Sequence, residues 1–253
     1  MKYSSLLRSA FAASSALRRH AIRPLRTSFS ISAPSMSSSS ENIYPALTVF
    51  DLDACLWDQE MYEMPAMPSR PIEGDLNGRG AGVKGAMSGP YKISLHAGSL
   101  VALQEHHDGL YPGMKVALAS SADTPKAEKI GRAALRILEV VPGVTVWDVL
   151  MRDWDGVDVN QIGRQPPLSS NKARSHFPRI RELTQIRYDE MLFFDDCNWG
   201  DHCRMVSDGC KEENGEGVVS VRTPYGLREA EWREGLQTYK EKLLARRQQK
   251  AEL

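Results

Sequence analysis

Ala46-Leu47-Thr48-Val49-Phe50-Asp51-Leu52-Asp53 is the stretch on which the fold turns. An apolar, partly β-branched run leads straight into two aspartates separated by one residue. An unbroken run of this length suits a strand buried on both faces, as in a parallel sheet, rather than the alternating pattern of a half-solvated strand. Outward along the chain the pattern recurs. Met114–Ala119 ends at Ser120 and Ser121, and Met191–Phe194 ends at Asp195 and Asp196. Val218–Val221 reads as a further strand and Val144–Leu150 as a shorter one. Helices are expected at Ser99–His107, from Thr124 to about Val140 with Pro125 in the first turn, and at Tyr225–Arg247. Another is expected from Lys172 to Gln185, with Ser169-Ser170-Asn171 as its cap and Pro178 inside it. Strands alternating with helices predict a three-layer α/β/α, Rossmann-type doubly wound parallel sheet.

One region breaks this rhythm. Met64–Pro90 holds four prolines and six glycines in 27 residues, so a long irregular flap is expected there instead of helix or central strand. Residues 58–97 then form an insert that gives the domain a minimal cover in place of a full cap. As a long irregular segment close to Asp51, this flap is expected to select the substrate.

The whole chain has 253 residues, 42% hydrophobic and 25% charged, which is ordinary for a globular protein. Its 32 basic residues balance its 32 acidic ones, but unevenly. Residues 1–40 hold six Lys/Arg, thirteen serines and no acid, so the remainder is mildly acidic. A mildly acidic body without a basic stripe excludes a nucleic-acid-binding surface. No run of 18 apolar residues is present, so no membrane insertion is expected. On a helical wheel Arg8, Arg19, Arg23 and Arg26 oppose Leu6, Ala10, Ala13, Leu17 and Ala21. This acid-free amphipathic segment, 1–40, reads as a mitochondrial transit peptide, with a disordered basic tail as the alternative and Met36 as a second start for a cytoplasmic form. The domain would then occupy 41–253. Cys55, Cys197, Cys203 and Cys210 contain no C-x₂-C pair and no C-x₅-R loop, so reduced thiols are expected.

In open parallel sheets ligands bind beyond the carboxyl ends of the strands. There the sequence collects Asp51, Asp53, Ser120, Asp195 and Asp196, with Lys172 shortly before the fourth strand. Carboxylates crowded at one rim raise each other's pKa, and a hard cation such as Mg²⁺ relieves the repulsion. An ammonium beside them suits a further anion such as phosphate, and the set lets a carboxylate attack phosphorus. Each residue alone has an ordinary reading as a turn, a cap or a solvated charge. His176 reads as a packed or surface imidazole, and Trp57, Trp147, Trp154 and Trp199 as core or pocket wall. Only the joint order carries the functional reading.

That order, D-x-D, Ser, Lys, Asp-Asp, resembles the four motifs of the haloacid dehalogenase superfamily of phosphotransferases. Val49-Phe50-Asp51-Leu52-Asp53 with Leu56-Trp57, Ala117–Ser120, Lys172 with Ser175-His176-Phe177, and Phe193-Phe194-Asp195-Asp196 resemble its magnesium-dependent phosphatase-1 family, over residues 46–240. The resemblance implies a haloacid-dehalogenase-like fold and Mg²⁺-dependent hydrolysis of phosphomonoesters. It implies Asp51 as the nucleophile that becomes aspartyl-phosphate and Asp53 as the acid and base, whose backbone carbonyl also meets the metal. Ser120, Ser121 and Lys172 would bind phosphate; Asp196 would complete the metal site with Asp195 in support. The implied substrates are phosphotyrosine-type proteins or small sugar phosphates. The sequence departs from the pattern at Cys55, where Thr or Val is usual, at Cys197, where an acid is common, and at Ser121, where Arg can occur. Cys55 leaves two further expectations: regulation by its oxidation, and, as the alternative function, a phosphate-binding protein with impaired turnover.

Overall fold

The structure, a computed structural model, describes residues 43–252. The expected targeting segment and the Met36 start lie outside the described residues. In chain order, β1 (Leu47–Phe50) leads to a meander of β2 (Arg70–Asp75), β3 (Ala81–Ser88) and β4 (Tyr91–Ser94). Helix α1 (Ala97–His107), β5 (Lys115–Ser120) and α2 (Pro125–Leu135) follow, then β6 (Glu139–Val141), β7 (Val144–Thr145) and α3 (Val146–Met151). The chain closes with β8 (Gln161–Ile162), α4 (His176–Thr184), β9 (Met191–Asp195), α5 (His202–Gly209), β10 (Val219–Arg222) and α6 (Glu229–Ala251).

The main sheet is wholly parallel, in the order β10-β9-β1-β5-β8. Because side chains alternate along a strand, each central strand feeds two cores. Phe50, Leu118, Leu192 and Phe194 enter one core with α1, α2, α3 and α6. Leu47, Val49, Ala117, Ala119, Met191 and Phe193 enter the other, against Phe177 and Ile180 of α4 and Val206 of α5. This is the expected α/β/α sandwich. Trp232 of α6 packs near the stacked rings of Phe50 and Phe194. Gly235 lets that helix close down, since a Cβ there would stand 2.5 Å from the Phe194 ring. No helix among the described residues is long and apolar enough to cross a membrane.

Several local expectations need correction. Val144–Leu150 is not a sheet strand: Val144–Thr145 pairs with β6 in a hairpin, and the rest is α3. A capping box overrides the β-branched run, with Thr145 Oγ1 accepting from the Asp148 N–H and Asp148 Oδ2 accepting from the Thr145 N–H. Helix α2 stops at Leu135, because Glu139–Val141 turns through Pro142-Gly143 into the same hairpin. The outer strand beside β5 is instead β8, where the sequence offers no long apolar run. Helix α4 begins at His176, not Lys172, so Lys172 sits in the preceding turn and Pro178 falls in the first helical turn, where no N–H is needed. Helix α5 carries no expectation from sequence; Asp201 caps it through the Arg204 N–H.

The flap is also more regular than its composition suggests. Residues 70–94 form an antiparallel three-stranded sheet. Pro71 is tolerated because β2 is an edge strand. Leu76, Ala86 and Ile93 are buried, and Glu139 accepts from the Val83 N–H. Gln104 ties the meander to the hairpin by donating to the carbonyls of both Leu76 and Val140. The meander is thus fastened to the body of the domain.

Candidate active site

Register places the polar ends together. Phe50 lies opposite Leu118 on one side and Phe194 on the other, so Asp51, Ser120 and Asp195 emerge from three adjacent strands at one rim. The Asp51 N–H continues the ladder onto the Phe194 carbonyl at 2.9 Å. The chain then folds back sharply. Ala54 sits at φ +52°, and the Leu52 carbonyl accepts from Cys55, Leu56 and Trp57.

Lys172 is buried at the centre of this rim, its Nζ 2.8 Å from Asp51 Oδ1 and 2.6 Å from Asp195 Oδ2. Burial alone would lower its pKa, but Asp195 and Asp51 outweigh that and hold it above the usual lysine value. Asp195 is wholly buried. Desolvation would raise its pKa, yet Lys172 and then His202 keep it below the carboxylate range. Its other oxygen accepts from the Cys197 N–H at 2.8 Å. Asp196 differs. Burial, then the charges of Asp51 and Asp195, push it up to about 7, while its Oδ2 accepts from the Asn198 N–H at 2.9 Å. Asp51 is raised as well, by burial first, with Lys172 pulling it back.

Ligand oxygens of Asp51, Asp195 and Asp196 all lie within 4.8 Å of one another. Three carboxylates and one ammonium leave an excess of negative charge, and an all-oxygen donor set fits a hard cation. Asp195 is occupied by Lys172, His202 and a backbone N–H, whereas Asp51 and Asp196 face the cavity, so these two would hold such an ion.

Asp53 stands apart from this trio. Trp57 Nε1 donates to its Oδ1 and the Met61 N–H to its Oδ2, both at 3.0 Å. Burial, then the Asp51 charge, raise its pKa well above the usual carboxylate value. A carboxyl with its pKa raised in this way beside Asp51 has the properties of a general acid.

A cavity of about 440 Å³ opens over this floor. Asp51, Asp53, Ser120, Ser121, Lys172 and Asp196 line it, with Asp195 beneath. Sequence reasoning missed the rest of the wall: Glu60, Tyr62, Asp123, Arg164, Ser170 and His202, most of them on loops that carry no periodic signal. Trp199, expected as core or pocket wall, is pocket wall and 73% exposed. Its ring meets Tyr62 edge-on at 6.2 Å, and its N–H donates to Glu60. From the flap 58–97, Glu60 and Tyr62 line the cavity, whereas the meander 70–94 does not.

His176 is packed, not catalytic. Its Nε2 lies 3.0 Å from the carbonyls of both Ser120 and Gly163, and Ser175 Oγ lies 3.0 Å from Nδ1. Burial, then Lys172, lowers its pKa to about 4, so it is the neutral ring that joins the ends of β5 and β8. Cys55 is wholly buried against Thr223, and burial and Asp51 push its thiol far up. Thiolate chemistry at Cys55 therefore has no support, and the oxidation expected there is corrected. All four cysteines are free.

The family model for acid phosphatases matches residues 43–242. The chain belongs to this family, a haloacid-dehalogenase-like one. Among solved structures, the acid phosphatase chain is similar to the N-terminal part of BF1531 from Bacteroides fragilis, which contains a phosphatase domain complexed with Mg. The two are 17% identical with a TM-score of 0.39, over 72% of this chain and 37% of that one. No curated protein matches.

Proposed function

We propose that this chain is a Mg²⁺-dependent phosphomonoester hydrolase that works through an aspartyl-phosphate on Asp51. The observation that carries the reading is the trio of Asp51, Asp195 and Asp196 within 4.8 Å, with buried Lys172 bridging Asp51 and Asp195, on the floor of a cavity. Asp51 attacks phosphorus, and the bond to the leaving oxygen breaks. Asp53, its pKa raised by burial and the Asp51 charge, gives a proton to that oxygen. Its carboxylate then takes a proton from the water that attacks the phosphorus of aspartyl-phosphate, freeing Asp51 and inorganic phosphate. Lys172 and the Ser120 hydroxyl hold phosphoryl oxygens, and Asp195 keeps Lys172 charged and in place. Asp51 and Asp196 would hold Mg²⁺, which would neutralise charge on the nucleophile and the phosphate.

The substrate classes are phosphotyrosine-type proteins or small sugar phosphates. The exposed Tyr62–Trp199 pair supports a ring-bearing leaving group, since an aromatic face offers contact to a planar ring or to a sugar. Membrane insertion and nucleic-acid binding form no part of the reading, and mitochondrial targeting remains a proposal tied to residues 1–40.

The test is Mg²⁺-dependent phosphate release from an aryl phosphate by the purified chain, with Asp51→Asn as control, followed by a screen of phosphopeptides against sugar phosphates. Release that persists in excess EDTA, or in Asp51→Asn, would sink the mechanism.

A further inference from the structure

A phosphate monoester brings up to two negative charges into the cavity, yet the cation on its floor is already committed. Lys172 faces two carboxylates. Arg164 is the other Lys or Arg lining the cavity, and it has no carboxylate within ion-pair distance among the described residues. Glu60 and Asp123 line the same mouth without pairing to it. Its guanidinium is nonetheless placed: Nε donates to the Ser121 carbonyl at 3.1 Å, leaving the two terminal nitrogens available.

The placement comes from the sheet. Ser120 pairs with Ile162 of β8, and the Gly163 N–H donates to the Ser120 carbonyl at 2.8 Å. Gly163, at φ +129°, then turns the chain so that Arg164 reaches Ser121. A second atom points to a ligand. Ser121 Oγ is buried at the cavity wall without a hydrogen-bond partner, and a buried hydroxyl left unpaired is costly.

Resting on the phosphatase reading of this cavity, we infer that Arg164 and Ser121 form a second phosphoryl-binding unit. Arg164 donates its terminal N–H groups to the oxygens of the transferring phosphate that Lys172 does not reach, and Ser121 Oγ donates another hydrogen bond. A planar guanidinium with its Nε already tied matches tetrahedral oxygens at little further ordering cost.

The test uses the full chain, Arg164→Ala and Arg164→Lys. Inorganic phosphate affinity is measured by calorimetry in MgCl₂, and kcat and KM on one aryl and one alkyl phosphate. In Arg164→Ala, phosphate affinity is expected to fall roughly ten- to hundredfold, with KM rising by a similar factor on both substrates. Arg164→Lys, which keeps the charge but loses the fork, is expected to fall between. Unchanged phosphate affinity in Arg164→Ala overturns the inference, whether or not KM rises on one substrate. So does a parent chain that binds no phosphate. Turnover decides the phosphatase reading separately: a chain that binds phosphate through Arg164 but hydrolyses nothing keeps this inference and loses that one.

Discussion

The floor and the mouth of the cavity are built by different rules. The floor is made of residues at or near the ends of parallel strands, buried, with charges matched to one another inside the protein: Asp51 and Asp195 on Lys172, and the Cys197 N–H on Asp195. The mouth includes Tyr62 on a short 3-10 turn and the loop residues Arg164 and Trp199, exposed and, among the described residues, without ionic partners. A buried charge tolerates no freedom, because an unmatched one costs several kcal/mol. An exposed loop residue carries almost no such penalty and can be tuned to a substrate without endangering the fold. The floor should therefore govern reaction and stability, and the mouth affinity alone.

The largest expected effect tests the floor. Asp51→Asn should lower phosphate release by on the order of 10³-fold or more while the circular dichroism spectrum stays native; an active variant would place the chemistry elsewhere. Lys172→Met leaves Asp51 and Asp195 facing each other without their cation, and should cost about 3–5 kcal/mol of stability in urea unfolding. Arg164→Ala, a like loss of charge at the mouth, should change stability by under about 0.5 kcal/mol. Equal losses from the two would erase the distinction between the regions.

His176 lies at the joint of the two regions, and its effect is smaller. Its folded pKa of about 4 is below the ordinary 6.5, so between these values the unfolded chain binds a proton that the folded chain does not. Its contribution is complete above pH 6.5 and is lost as pH falls toward 4, up to about 3 kcal/mol. His176→Gln should flatten the fall of Tm across that window; an unchanged slope would assign acid sensitivity to other groups. The smallest effect belongs to the rim. Trp199→Ala should raise KM for an aryl phosphate by roughly three- to tenfold, with kcat, stability and KM for a small alkyl phosphate unaltered. A fall in kcat on both substrates would make Trp199 part of the floor.

Much of the floor was legible from sequence because Asp51, Ser120 and Asp195 each directly follow an apolar run, with Asp196 next in line. Such runs are forced by burial on both faces of the sheet, and their ends are visible. The edge strand β8 was not, since Gln161–Ile162 is too short to make a run, and Arg164 went unseen with it. The meander was masked by glycine and proline, which an edge strand and a tight β3–β4 packing accommodate. Val144–Leu150 was misread because side-chain type alone does not reveal that Thr145 and Asp148 cap each other.

Composition and order by themselves determined that a parallel α/β sheet would gather Asp51, Ser120 and an Asp pair at one rim, because a strand covered by helices on both sides must be apolar until it reaches the edge. Only the tertiary structure decided that Lys172 bridges Asp51 to Asp195, that Asp196 is left facing the cavity, and that Arg164 lines the wall above them with no carboxylate partner among the described residues. Those outcomes depend on distances of a few ångströms between residues far apart in the chain, and electrostatic energy in a buried site changes steeply over such distances.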